Sequence, residues 1–200
     1  MGKGKKYLDS VFSELHALER LLGKIDEDEA GTLVWMAGLT AGAIAEGRVV
    51  FTCGNGGSAA DAQHIAGELV GRFRRKLSGY KAIALTTNSS VVTALANDFS
   101  YEEIFSKQLE SMAQPGDVLL SLSTSGESPN ILRAVEYANE HGIESLAFVG
   151  KKGGRLAEIA STAIVVPHDD FARIQEVHMV LGHIFCGLVE EMVQTGDETA

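Results

Sequence analysis

His64 and Glu68 lie four residues apart in a helical stretch, so both side chains project from one helix face. An imidazole and a carboxylate at that spacing form a metal pair or an acid/base pair. Just upstream stands Cys53-Gly54-Asn55-Gly56-Gly57-Ser58, after an apolar run at 49–52 that reads as a buried strand. A glycine-rich turn that opens a helix leaves unpaired backbone N–H groups aimed at one spot, with the positive end of the helix dipole behind them. That is a phosphate site. An anion cradle and a reactive pair on one segment imply an enzyme acting on a phosphorylated small molecule.

A second polar loop, Ser123-Thr124-Ser125-Gly126-Glu127-Ser128, follows the strand pattern at 118–122. Ser128 before Pro129 reads as an N-cap followed by a first-turn proline. Hydroxyls at a helix N-terminus can donate to phosphate oxygens without any Lys or Arg. The bland alternative is an ordinary capped loop, and the pairing with the glycine loop favours phosphate, because ligands of open α/β sheets sit at such strand ends. For His64 and Glu68 the bland alternative is a surface pair worth a few tenths of a kcal/mol. Asp61 lies three residues before His64, Arg72 lies four after Glu68, and Asn97-Asp98 closes a helical pattern. Polar contacts to a ligand are open to all of these, as is a capping role for Asn97 and Asp98. A C-terminal helical pattern at 171–193 carries Arg173, Gln175, Glu176, His178 and His183 among apolar residues. A histidine on such a helix is commonly a core residue; two with a glutamine shift the reading toward a site.

These loops need a scaffold. Strand patterns at 49–53, 82–85, 118–122, 145–149 and 163–166 alternate with helical patterns at 59–70, 90–96, 101–112, 129–141 and 155–159. Such alternation predicts an α/β fold with a parallel sheet covered on both faces. Two helical patterns, 7–22 and 32–45, precede it, separated by a polar break at 26–31. The second is apolar nearly all round, which predicts burial between subunits. The 200 residues suit one domain, and 45% hydrophobic content supports a large core. A net charge of −10 argues against nucleic acid or an anionic membrane as partner. No apolar run reaches membrane-span length, and Cys53 and Cys186 read as reduced core residues of a cytoplasmic protein.

Four motifs in order resemble the sugar isomerase (SIS) family, and within it the phosphoheptose isomerases. They are Gly54-Asn55-Gly56-Gly57-Ser58-Ala59-Ala60-Asp61-Ala62-Gln63-His64 with Glu68; Ala96-Asn97-Asp98; Ser123-Thr124-Ser125-Gly126 with Ser128; and Ala172-Arg173-Ile174-Gln175-Glu176-Val177-His178 with His183. That family converts sedoheptulose 7-phosphate to D-glycero-D-manno-heptose 7-phosphate, the first step toward ADP-heptose and the lipopolysaccharide core. The resemblance spans nearly the whole chain. It implies a three-layer sandwich with a five-stranded parallel sheet of flavodoxin-like order, a single SIS domain over 1–200 with 1–46 as a helical extension, and a homotetramer. It implies one zinc per site on His64, Glu68, Gln175 and His183, with Glu68 as base and His183 as acid. Implied substrate contacts are Asn55, Gly56, Gly57, Ser58, Asp61, Glu68, Arg72, Asn97, Asp98, Ser123, Thr124, Ser125, Ser128 and Gln175. Gly67 departs from the family's usual alanine.

Two other readings share the fold. A non-enzymatic SIS protein that binds the replication initiator DnaA has the Arg173-Ile174-Gln175-Glu176 run but neither Glu nor His at the positions of Glu68 and His183. A phosphosugar-sensing module would need no acid/base pair. Spacing adds a separate expectation. Gln175 and His183 are eight residues apart on one helix, hence about 12 Å along its axis and about 80° in direction. Two donors to one zinc must each come within about 2 Å of it. The two residues are therefore expected to serve one site from different chains, placing active sites at subunit interfaces.

Overall fold

The computed structural model describes residues 2–71 and 79–196. Arg72, one of the expected substrate contacts, lies outside the described residues. Helix α1 (Gly2–Leu22) and helix α2 (Glu27–Ala45) precede the sheet. Helix α2 starts earlier than its apolar pattern. Asp26 accepts hydrogen bonds from the Asp28 and Glu29 N–H groups, and the Glu29 carboxylate accepts one from the Asp26 N–H. The polar stretch at 26–31 is thus largely a first helical turn rather than a break, and the Asp-x-x-Glu capping box is the signal for it.

Strands β1 (Val50–Gly54), β2 (Ala82–Ala84), β3 (Val118–Ser123), β4 (Glu144–Gly150) and β5 (Thr162–Val166) form one parallel sheet in the order β2-β1-β3-β4-β5. Between and after them run α3 (Gly57–Val70), α4 (Ser89–Asp98), α5 (Ser106–Met112), α6 (Pro129–Glu140), α7 (Gly154–Ile159) and α8 (Phe171–Thr195). The stretch expected as one helix at 101–112 divides into a 3-10 turn (Tyr101–Glu103) and α5.

Period-two alternation splits the core. Val118, Leu120 and Leu122 of β3, with Leu146 and Phe148 of β4, pack under α2, α3 and α8. Leu119, Ala147 and Val149 face the other way, toward α5, α6 and α7. The result is the expected three-layer sandwich. Cys53 and Cys186 are buried on opposite faces of the sheet. Helix α2 finds much of its cover on α8 of its own chain, leaving Val34 and Trp35 exposed. The longer uncovered apolar stripe is on α1: Leu8, Val11, Phe12 and Leu15. No helix among the described residues is long and apolar enough to cross a membrane.

The chain leaves β1 toward β2 on one side, while β3 lies on the other. The C-terminal ends of β1 and β3 therefore flank the switch point where open α/β sheets bind ligands. At the opposite end, buried Asp117 ties the sheet base together, accepting from Val49 N–H at 2.9 Å and Gln114 N–H at 2.8 Å. Removing it strands two donors. Asp117→Ala is expected to cost about 3–6 kcal/mol in a urea titration, the scale of two hydrogen bonds to a carboxylate; an unshifted midpoint would refute that role.

Candidate active site

Gly56, at φ +56° and ψ −119°, turns the chain from β1 into α3 in a conformation that side chains disfavour. The next residue must also be small: a Cβ on Gly57 would lie 2.5 Å from Nε2 of Gln175. Gln175 therefore lies over the opening of α3, and it also lines an open surface cleft with Asp61 and Glu176.

Helices α3 and α8 run in the same direction from that point. Gly182 of α8 meets Ile65 of α3 so closely that a Cβ would fall 2.9 Å from Ile65 Cδ1. This approach joins three side chains into a triangle. His64 Nε2 lies 3.0 Å from Glu68 Oε1 and 3.1 Å from His183 Nε2, and His183 Nε2 lies 3.2 Å from Glu68 Oε1. Glu68 is the inner member, its side chain 14% exposed, while His64 and His183 are about half exposed. Glu68 Oε1 faces the histidines; Oε2 is buried without a hydrogen-bond partner. The expected fourth ligand, Gln175, is not brought to this triangle by its own chain. Near Gly57 it sits about two turns back along both helices.

A divalent metal fits the three donors. A tetrahedral zinc site with bonds near 2.0–2.1 Å separates its donors by about 3.3 Å. The observed sides of 3.0–3.2 Å come close to that.

The serine loop meets the glycine loop across β1 and β3. Asn55, Ser58, Ser123, Thr124 and Ser128 line one small cavity. Ser123 Oγ accepts from Gly126 N–H at 3.0 Å and Ser125 Oγ accepts from Glu127 N–H at 3.2 Å. Both hydroxyls therefore keep their own proton to donate. Ser128 stands at the N-cap of α6 as expected, but its hydroxyl makes no capping bond. Asn97 and Asp98 are exposed at the end of α4 and bonded to each other at 2.8 Å. Asp61 is half-buried, and burial pushes its carboxyl up to about 6, against the pull of His64.

His178 follows the bland alternative. It is buried against Phe148, and neither ring nitrogen has a hydrogen-bond partner. Burial lowers it to about 4, with the nearby Val149 backbone opposing this without reaching hydrogen-bond geometry. Sequence reasoning missed Asn130 and Tyr101, which hold Asn55 from two sides. A polar residue on the buried face of α6 was the one available signal, since Asn130 shares that face with Ile131 and Ala134.

The SIS domain profile matches residues 15–150, so the chain belongs to the SIS-domain family. Its similarity extends to one branch of that family. A phosphoheptose isomerase of Aquifex aeolicus is 49% identical over 82% of this chain and 86% of its own length. One from Burkholderia pseudomallei is 48% identical over 92% and 89%. Among solved structures, a phosphoheptose isomerase from Francisella tularensis superposes with a TM-score of 0.88 at 30% identity, covering 92% of this chain and 98% of that one. That from Neisseria gonorrhoeae gives 0.83 at 35%, covering 94% and 98%.

Two outcomes are expected from this geometry. Gly182→Val should lower stability by about 1–3 kcal/mol as the helices are forced apart, and should weaken the hold on a titrated divalent cation. An unchanged urea midpoint would contradict the close contact. His178 binds its proton more weakly folded than unfolded, so stability is full above the ordinary histidine value of 6.5 and falls as pH drops toward about 4. His178→Leu should remove about 3 kcal/mol of that acid-side slope; an equally steep stability profile would contradict it.

Proposed function

We propose that this chain isomerises sedoheptulose 7-phosphate to D-glycero-D-manno-heptose 7-phosphate through an enediol(ate). The observation that carries the reading is the His64–Glu68–His183 triangle two turns from a neutral phosphate cradle. Close relatives named phosphoheptose isomerase supply the substrate. Sensing or docking alone gives no reason for a carboxylate and two imidazoles to converge, so the triangle favours turnover over both non-enzymatic readings.

Proton abstraction from C1 of the ketose is the difficult step, because carbon acids are weak. Glu68 is the proposed acceptor, on a carboxylate oxygen that zinc does not hold. The proton returns to C2. His183 moves a proton between O1 and O2, converting the C2 carbonyl into a hydroxyl and the C1 hydroxyl into an aldehyde. Ser123, Thr124, Ser125 and Ser128, with Gly56, Gly57 and Ser58, hold the phosphate and so keep the reacting carbons in register. Asp61, Arg72, Asn97, Asp98 and Gln175 are assigned to the sugar and the rim, and Asn55, which lines the cavity with the serine loop, to the phosphate end of the substrate.

His64, Glu68 and His183 would hold one zinc, with Gln175 as the fourth ligand. Bound there, zinc would polarise the substrate carbonyl. Because Gln175 lies over Gly57 of its own chain, the fourth ligand is assigned to a neighbouring copy in a cytoplasmic homotetramer. The exposed apolar stripe of α1 supports such an assembly. An active monomer would overturn the split site.

Conversion of sedoheptulose 7-phosphate, followed by NMR with and without a chelator, tests the reading. The expected outcome is turnover that the chelator abolishes and added zinc restores. Glu68→Gln and His183→Ala should each lower kcat about a hundredfold or more, the scale of a lost acid or base. Near-normal turnover in either variant would remove that residue from the mechanism.

A further inference from the structure

Asn55 belongs to the glycine loop after β1, and Asn130 to the first turn of α6, 75 residues later and 2% exposed. Their side-chain amides pair reciprocally. Asn55 Nδ2 donates to Asn130 Oδ1 at 2.9 Å, and Asn130 Nδ2 donates to Asn55 Oδ1 at 2.9 Å. The Tyr101 hydroxyl donates to that same Asn55 oxygen at 3.0 Å. Asn55 thus spends its carbonyl oxygen and one N–H inside the protein and keeps a single N–H for a ligand.

The third member is itself held by α6. Arg133, one turn after Asn130, pairs with Glu102 at 2.7 Å and with Glu103, the two residues that follow Tyr101 in the 3-10 turn. Asn55 forms the wall between two cavities. One is the small serine-lined cavity; the other, of about 140 Å³, is lined by Gly54, Gly56, Thr86 and Tyr101 among others.

We propose that Asn130 and Tyr101 are positioning residues: through Asn55 they lock the glycine loop to the serine loop and so set affinity for the phosphoryl group. The lock acts on the phosphate cradle, about two turns of α3 from the triangle. Its loss should therefore appear in binding rather than in the proton-transfer step. The proposal rests on the two loops being that cradle.

The test compares Tyr101→Phe and Asn130→Ala with the unaltered chain. The readouts are Kd for inorganic phosphate, KM and kcat for sedoheptulose 7-phosphate, and the ¹⁵N side-chain amide signals of Asn55. Tyr101→Phe should raise Kd and KM about fivefold, the scale of one hydrogen bond. Asn130→Ala should raise them more than about tenfold and shift the Asn55 amide signals, because it removes both amide–amide bonds to Asn55 at once. The kcat should fall less than about threefold in both. Unchanged phosphate affinity in both variants, or a loss confined to kcat, would overturn the proposal. If Asn130→Ala does not fold, Tyr101→Phe decides alone, since Tyr101 is 58% exposed and its ring is retained. An unaltered chain that binds phosphate without turning over the sugar would refute the reaction assignment, and the Kd comparison would still decide the lock.

Discussion

The close parallel approach of α3 and α8 is the contact on which the site depends. The two helices lie 119 residues apart in the chain at His64 and His183. They come together because residue 182 has no side chain to hold them off Ile65. Lower down, buried Cys186 sits against the Ile65 carbonyl at 3.9 Å. Because the helices run the same way and in step, one alignment fixes two places at once. Gln175 meets Gly57 at the cradle, and His183 meets His64 and Glu68 two turns on. Neither could shift without the other.

The proposed cradle answers a charge problem. A chain of net charge −10 must hold a phosphorylated substrate against its own field. Among the described residues of the two loops there is no Lys or Arg; the donors are backbone N–H groups and hydroxyls. Ser123 and Ser125 accept from backbone N–H groups of their own loop, which orders the oxygens and leaves their protons for an anion. The α3 and α6 N-termini add partial positive charge at the same end of the sheet.

Much of this was legible in the sequence. The five strands, their parallel arrangement and the two loops follow from residue period, β-branching and glycine placement. What the sequence hides is what depends on distant partners. Helix α2 reads as apolar all round; α8 of its own chain covers part of that surface and leaves Val34 and Trp35 exposed. His178 and His183 look alike on one helix; only packing sends the first under Phe148 and the second to the triangle. The stretch at 101–112 has helical period throughout, but a 3-10 turn interrupts it at Tyr101, whose hydroxyl reaches Asn55. Asp26 shows the opposite case, since its capping box is local and was readable.

The account's central claim is a proton transfer at C1 and C2 by side chains of this chain on a phosphorylated heptose. Running the conversion of sedoheptulose 7-phosphate in D₂O tests it most directly, because the removed proton can exchange with solvent before C2 is reprotonated. The account predicts formation of the aldose phosphate with deuterium at C2. Absence of conversion would contradict it.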